Sequence, residues 1–116
     1  MKRLLLTAVL SSALTLLVTA QIKTRTMTSK LDNAKVRVSE VVYEPGQPRE
    51  RYTRPTDQVI VFLDDCKYQR TDSATGEKTV RERKSGDVIW HDKGEDAPVL
   101  TNLGAQPYRT LLIEFK

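Results

Sequence analysis

Past position 21 the chain keeps a two-residue rhythm, and that rhythm restricts its fold more than any other feature. The runs "IKTRTMT" (22–28), "KVRVSEVVYE" (35–44), "QVIVFLDD" (58–65), "CKYQRTD" (66–72), "KTVRERK" (78–84), "DVIWH" (87–91), "APVLTNL" (97–103) and "YRTLLIEF" (108–115) are rich in β-branched and aromatic residues. In an extended chain successive side chains point to opposite faces, so such runs suit half-buried strands. Turn formers separate them: Pro45-Gly46 with Pro48, Asp72-Ser73-Ala74-Thr75-Gly76, Ser85-Gly86, Lys93-Gly94 and Gly104-Ala105-Gln106-Pro107. No stretch in this part repeats apolar residues at helical spacing. Short strands punctuated by frequent turns predict an all-β sandwich or barrel. The segment from Gln58 to Asp87 reads as a hairpin in which "VIVFLDDCKYQRT" descends, "DSATGEK" reverses and "TVRERK" returns. Its charged half, "RERK" against "KYQR", reads as a solvated face that discourages edge pairing.

The first 20 residues follow a different rule. Lys2 and Arg3 precede an apolar run from Leu4 to Val18, and Val18-Thr19-Ala20 has the small-x-small form that signal peptidase cuts. The expectation is a signal peptide at 1–20, cleaved near Ala20, which makes the product secreted or periplasmic. A membrane anchor needs roughly 20 strongly apolar residues, whereas this run is shorter and contains Ser11, Ser12 and Thr15. No cysteine follows Ala20 to carry a lipid, so no stable membrane anchor is expected after cleavage. Residues 21–116 then form one domain of 96 residues with a formal charge of +2, because Lys2 and Arg3 leave with the leader. A chain this small buries only about 60–65% of its unfolded surface, so an internal cavity must be small. Cys66 is the single cysteine, which rules out an internal disulfide. It reads as a small buried hydrophobe, the alternative being a reactive or intermolecularly paired thiol. Arg49, Arg51, Arg54 and the Arg81–Lys84 run are basic, but the Tyr and Phe residues are scattered single rings. Nucleic acid is therefore not an expected partner, since single-strand binding requires aromatic stacking platforms.

Two spacings within the strand-rich part resemble the cupin superfamily of small jelly-roll barrels. The family's first motif is Gly, five residues, His-x-His, three or four residues, Glu, six residues, Gly. Here Gly46 is followed by "QPRER", Tyr52, Thr53, Arg54, "PTD", Gln58, "VIVFLD" and Asp65. The second motif is Gly, five residues, Pro-x-Gly, two residues, His, three residues, Asn. Gly86 is followed by "DVIWH", Asp92, Lys93, Gly94, "ED" and Ala97, and Asn102 lies one residue beyond the motif's Asn. The tail "NLGAQPYRTLLIEF" is similar to the family's closing turn and last strand. The resemblance implies a cupin-like double-stranded β-helix over 21–116, and pairing of outer strands into a homodimer.

In that family three His and one Glu point into the barrel and hold a divalent metal such as iron, manganese, zinc or nickel. This chain has Tyr52, Arg54, Gln58 and Ala97 at those positions, and His91 is its only histidine. A permanently protonated guanidinium at a ligand position repels a cation, so neither metal nor other cofactor is expected. What the register implies instead is a pocket lined by Tyr52, Arg54 and Gln58, with Asn102 near it. Trp90 or His91 joins the pocket according to which face their strand turns inward. Such a set suits a small anionic or sugar-like ligand, because Arg offers a planar donor fork to an acid group. The competing possibility is a structural plug, with Arg54 paired to Glu50 or Asp57 and Tyr52 filling the barrel. A non-enzymatic binding or accessory module is the leading functional expectation. A metal-independent isomerase or epimerase of a sugar or carboxylic acid, using His91 or Tyr52 as acid/base, is the alternative.

Overall fold

A computed structural model describes residues 26–116. The expected leader, its cleavage point and the first four residues of the "IKTRTMT" run lie outside the described residues. Among the described residues all regular structure is strand, in the order β1 (Thr26–Asp32), β2 (Val36–Tyr43), β3 (Pro48–Arg49), β4 (Tyr52–Thr53), β5 (Asp57–Phe62), β6 (Cys66–Thr71), β7 (Lys78–Arg83), β8 (Val88–His91), β9 (Asp96–Ala97), β10 (Val99–Asn102) and β11 (Tyr108–Phe115). One sheet has the order β1-β2-β11-β5-β8, a second β3-β10-β6-β7, and β4 pairs with β9 across one end.

The two-residue rhythm decides which side chains meet between the sheets. In β5 the pattern strictly alternates, burying Gln58, Ile60 and Phe62 and leaving Asp57, Val59 and Val61 half-buried. The antiparallel register sets Ile60 opposite Leu112 and Phe62 opposite Thr110. The core comprises Val41, Tyr43, Ile60, Phe62, Tyr68, Tyr108 and Leu112, contributed by strands of both sheets. Burying each such large apolar side chain contributes about 1.5–3 kcal/mol over leaving it exposed. Tyr43 stacks on Tyr108 with centroids 4.8 Å apart, Tyr108 lies 6.3 Å from Tyr68, and Tyr68 lies 6.2 Å from Phe62. Four of the rings that look scattered in the chain thus meet inside the barrel.

The expected hairpin is corrected in one respect. The strand read as continuous from Val59 to Thr71 breaks at Leu63–Asp65, so β5 belongs to the first sheet and β6 to the second. Two carboxylates hold the corner. Asp64 accepts from the backbone N–H and guanidinium of Arg109 at 2.9–3.0 Å, and Asp65 accepts from the Ser85 backbone at 2.8 Å. The β6–β7 half of the hairpin forms as expected, turning through Asp72–Glu77. The short strands β3, β4 and β9 were not anticipated, each being only two residues long. Two glycines of the second motif sit where L side chains are strained. Gly86 has φ 92° and donates to the Phe62 carbonyl, and Gly94 has φ 88° and donates to the Arg54 carbonyl.

Candidate functional site

Three of the four residues at the family's metal positions come together through Arg54. Pro55 restricts the backbone of the residue before it, and reciprocal backbone bonds, Arg54 N–H to Glu95 O at 3.0 Å and Gly94 N–H to Arg54 O at 2.9 Å, tie β4 to the β8–β9 turn. The Arg54 side chain then runs inward and is 3% exposed. Its Nη1 donates to Gln58 Oε1 at 2.8 Å and to the Tyr52 hydroxyl at 3.3 Å. Tyr52 is the cross-strand partner of Ala97, the fourth position, which is fully buried. The spacing match therefore corresponds to a real convergence in space.

The donor set does not fit a divalent cation. A guanidinium occupies the centre of the cluster, Ala97 offers no donor atom, and no group of three or more His, Cys, Asp or Glu suited to a metal exists among the described residues. The alternative structural pairing is also corrected. Arg54 bonds to the neutral Gln58 and Tyr52 rather than to Glu50 or Asp57. The Asp57 carboxylate instead receives the Lys93 backbone N–H at 2.8 Å.

Beside this cluster lies a cavity of about 130 Å³. Its apolar wall includes Ile60, Phe62, Ile89 and Leu100 together with Tyr43, Tyr68 and Tyr108. Burial beside Tyr43 pushes the Tyr108 phenol far above its ordinary value, so it remains a neutral hydroxyl. The polar wall is almost wholly cationic: Arg49, Arg54, Arg70, Arg81 and Arg83, with His91. Arg49 and Arg54 are 7% and 3% exposed, and both guanidinium groups lie over the Tyr52 ring, 5.3 and 5.6 Å from its centroid. Arg49 donates through Nη2 to the Pro98 carbonyl. The buried Nε of each has no hydrogen-bond partner. Among the described residues no carboxylate lies within ion-pair distance of any of the five guanidinium groups. Burial pulls the Arg54 guanidinium below its ordinary value; Tyr52 opposes that and Arg49 reinforces it.

His91, not Trp90, faces inward. His91 pairs across the sheet with Gln58 and lines the cavity, and its Nδ1 is 3.5 Å from the Glu95 carboxylate. Burial and the Arg54 charge depress its ionisation below the ordinary imidazole value, with Glu95 pulling the other way. Trp90 stands on the outer face, 54% exposed, where it packs against Phe115 and donates to Asp92 at 2.8 Å. Its expected place in the pocket is therefore corrected: neighbours on a strand point to opposite faces, so only one of the pair can enter. Asn102 is buried but does not line the cavity. Its amide donates to the Tyr43 and Gln106 carbonyls at 3.0 and 2.9 Å and accepts from Gly104 N–H at 2.8 Å, closing the turn before β11. Gln58 and Tyr52 hold Arg54 from behind rather than lining the cavity themselves.

Sequence reasoning missed four cavity cations. Arg70, Arg81 and Arg83 sit within the hairpin half read as a solvated face. That reading holds for Lys67, Glu82 and Val80 and in part for Arg81, which stays exposed while bordering the cavity, but not for half-buried Arg70 and Arg83, which the same two-residue rule sends inward. Arg83 lies over the Phe62 ring and donates to the Tyr68 hydroxyl at 3.3 Å. Arg49 was recognised only as a basic residue, because the two-residue count breaks at Glu50–Arg51 between β3 and β4. Cys66 is half-buried, and burial pushes its thiol up to about 11, as expected of a packing residue.

Neither a family model nor a curated protein matches the chain. Solved structures do. A cupin domain from Bordetella pertussis superposes with a TM-score of 0.71 at 18% identity, covering 81% of this chain and 95% of that one. A cupin superfamily protein from Desulfitobacterium hafniense gives 0.60 at 11% identity, covering 79% and 77%. A Ralstonia eutropha protein provisionally named a mannose-6-phosphate isomerase gives 0.63 at 13% identity, covering 83% and 88%. The chain has the cupin fold, a double-stranded β-helix. Within that fold it carries a guanidinium cluster where the resemblance implied a metal centre.

Proposed function

We propose that this protein is a metal-independent binding module whose barrel cavity takes up a small organic acid. The observation that carries the reading is the pair Arg49 and Arg54, more than nine-tenths buried, each with an unpartnered Nε and neither within ion-pair distance of a carboxylate, Glu95 acting on Arg54 only from farther off. A buried charge without a counter-charge is costly, and an acid group entering the cavity supplies both the missing charge and the missing acceptor. The volume of about 130 Å³ is small beside drug-sized sites, limiting the ligand to a compact molecule. The aromatic and aliphatic wall favours an apolar body over a fully hydroxylated one.

Thermal shift and calorimetric titration with a panel of short carboxylic acids, at constant ionic strength, test the proposal. Acids should raise the melting temperature of the wild type and leave Arg54→Met unchanged. Absence of any shift at millimolar acid would overturn it. The Met substitution also removes a buried charge without stranding an opposite one, so its stability should stay within about 2 kcal/mol of wild type.

One observation favours a second reading, a metal-independent isomerase. His91 lines the cavity with Glu95 beside Nδ1, and its depressed ionisation leaves the imidazole neutral and able to accept a proton. The provisional isomerase name belongs to the Ralstonia protein and reaches this chain through fold alone. Deuterium uptake from solvent into a bound acid or sugar, abolished in His91→Asn, would establish turnover. The proposed site of action is outside the cytoplasm, on the strength of the Lys2–Ala20 pattern. Intact mass of the exported protein, lacking about 20 residues, checks it.

A further inference from the structure

The cavity cations are not one cluster, and their separation says something about the ligand. Arg54 is fixed at one end of β5, by its bond to Gln58. Arg83 is fixed at the other end, its guanidinium 5.8 Å from the centroid of the Phe62 ring. Gln58 and Phe62 both face inward on β5, with Ile60 between them on the same face and Ile89 as its cross-strand partner. Four residues of strand separate the two anchors by roughly 13 Å along β5. Arg49 shares the Tyr52 ring with Arg54, forming the inner anchor. Arg81 lies two residues from Arg83 on β7, opposite Tyr68, and with Arg83 forms the outer one. Between the anchors the lining is apolar: Ile60, Ile89 and Leu100.

We infer that the ligand is a linear molecule with an acidic group at each end and an apolar middle, an α,ω-dicarboxylate in its simplest form. This deepens the organic-acid reading and rests on it. A single acid group satisfies the inner anchor and leaves half-buried Arg83 without a counter-charge. Arg70 and Arg81 also border an adjoining groove that contains Asp72, Glu77 and Asp96, which offsets part of their charge. Arg83 lines only the cavity of the two, making it the more specific outer contact. Allowing about 2.9 Å for a hydrogen bond at each end leaves roughly 7 Å between the acid groups. That span is closer to adipate or pimelate than to malonate.

The test is calorimetric titration of the exported protein with malonate, glutarate, adipate, pimelate and suberate, and with butyrate and hexanoate as monoacids. A two-anchor site gives an optimum at adipate or pimelate, about tenfold tighter than hexanoate. Arg83→Gln should erase that preference, bringing adipate and pimelate to within about twofold of the hexanoate affinity measured in the same variant. Equal affinity for mono- and diacids would overturn this inference and leave the organic-acid reading standing. So would a diacid preference indifferent to chain length, because that indicates diffuse attraction to a basic mouth. Failure of every acid to bind would overturn both, and retention of the optimum in Arg83→Gln would show the outer anchor to be misassigned.

Discussion

Arg54 and His91 show how a single side chain acquires its role from what surrounds it. The His91 imidazole titrates below its ordinary value of 6.5 in the folded chain, chiefly because it is buried and beside Arg54. The folded value being depressed, the unfolded chain binds a proton more readily than the native one. His91 therefore contributes stability that is present above about pH 6.5 and lost as pH falls through its folded value. Melting curves of wild type and His91→Asn from neutral to acidic pH should diverge in that direction, the wild type losing the advantage. Parallel curves would mean that the imidazole is not held neutral. Asn102 makes the opposite case, a residue whose motif position suggested a ligand but whose three bonds close a turn. Asn102→Ala leaves two carbonyls and one N–H without their partner and should destabilise the fold by at least about 2 kcal/mol in chemical denaturation. Acid affinity of the remaining folded protein should be unchanged.

Among the elements, the β6–β7 hairpin matters most for the site because it carries three of the five cavity arginines. Its turn is organised by Asp72, whose carboxylate accepts from Ala74 N–H at 2.9 Å, Thr75 N–H at 2.8 Å and the Thr75 hydroxyl at 3.1 Å. The same bonds hold that carboxyl below the usual range, the Thr75 backbone contributing most. β7 is an edge strand whose single neighbour is β6, and the turn sets the register of that one ladder. Asp72→Ala should lower the melting temperature and increase amide exchange in β7 more than in β2 or β11. Uniform exchange would show that the turn does not govern the strand. The alternation within this hairpin was visible in the sequence. Which of its faces turned inward was not, since "RERK" and "KYQR" have charge on both.

For the molecule as a whole, the test is whether the barrel still has a metal-site geometry beneath its substituted residues. Tyr52 and Ala97 are cross-strand partners, and Arg54 touches both Tyr52 and Gln58. The quadruple variant Tyr52→His, Arg54→His, Gln58→Glu and Ala97→His restores three imidazoles and a carboxylate at that convergence. The folded variant should bind zinc, nickel or manganese stoichiometrically, with modest affinity because outer hydrogen-bond partners were never matched to it. Elemental analysis decides; a well-folded variant without metal would show that convergence of positions is not convergence of donor atoms.

The sequence by itself determined the strands, their alternation and the two motif spacings, because these depend on local backbone preference and on which neighbours share a face. It also carried Tyr52, Arg54 and Gln58 as a group, since a fixed spacing in a recognisable pattern stands in for proximity. Tertiary structure alone decided that the chain turns a corner at Asp64 and Asp65, sending β6 to the opposite sheet. It alone decided that His91 rather than Trp90 enters the barrel, and that Arg49, Arg70, Arg81 and Arg83 face the cavity that Arg54 lines. The physical reason is the same in each case. Alternation says that two neighbours point apart, but only the partner sheet defines which direction is inside. A strand's sequence likewise says nothing of a charge brought beside it from far along the chain, as the partnership of Phe62 with Arg83 and of Pro98 with Arg49 shows.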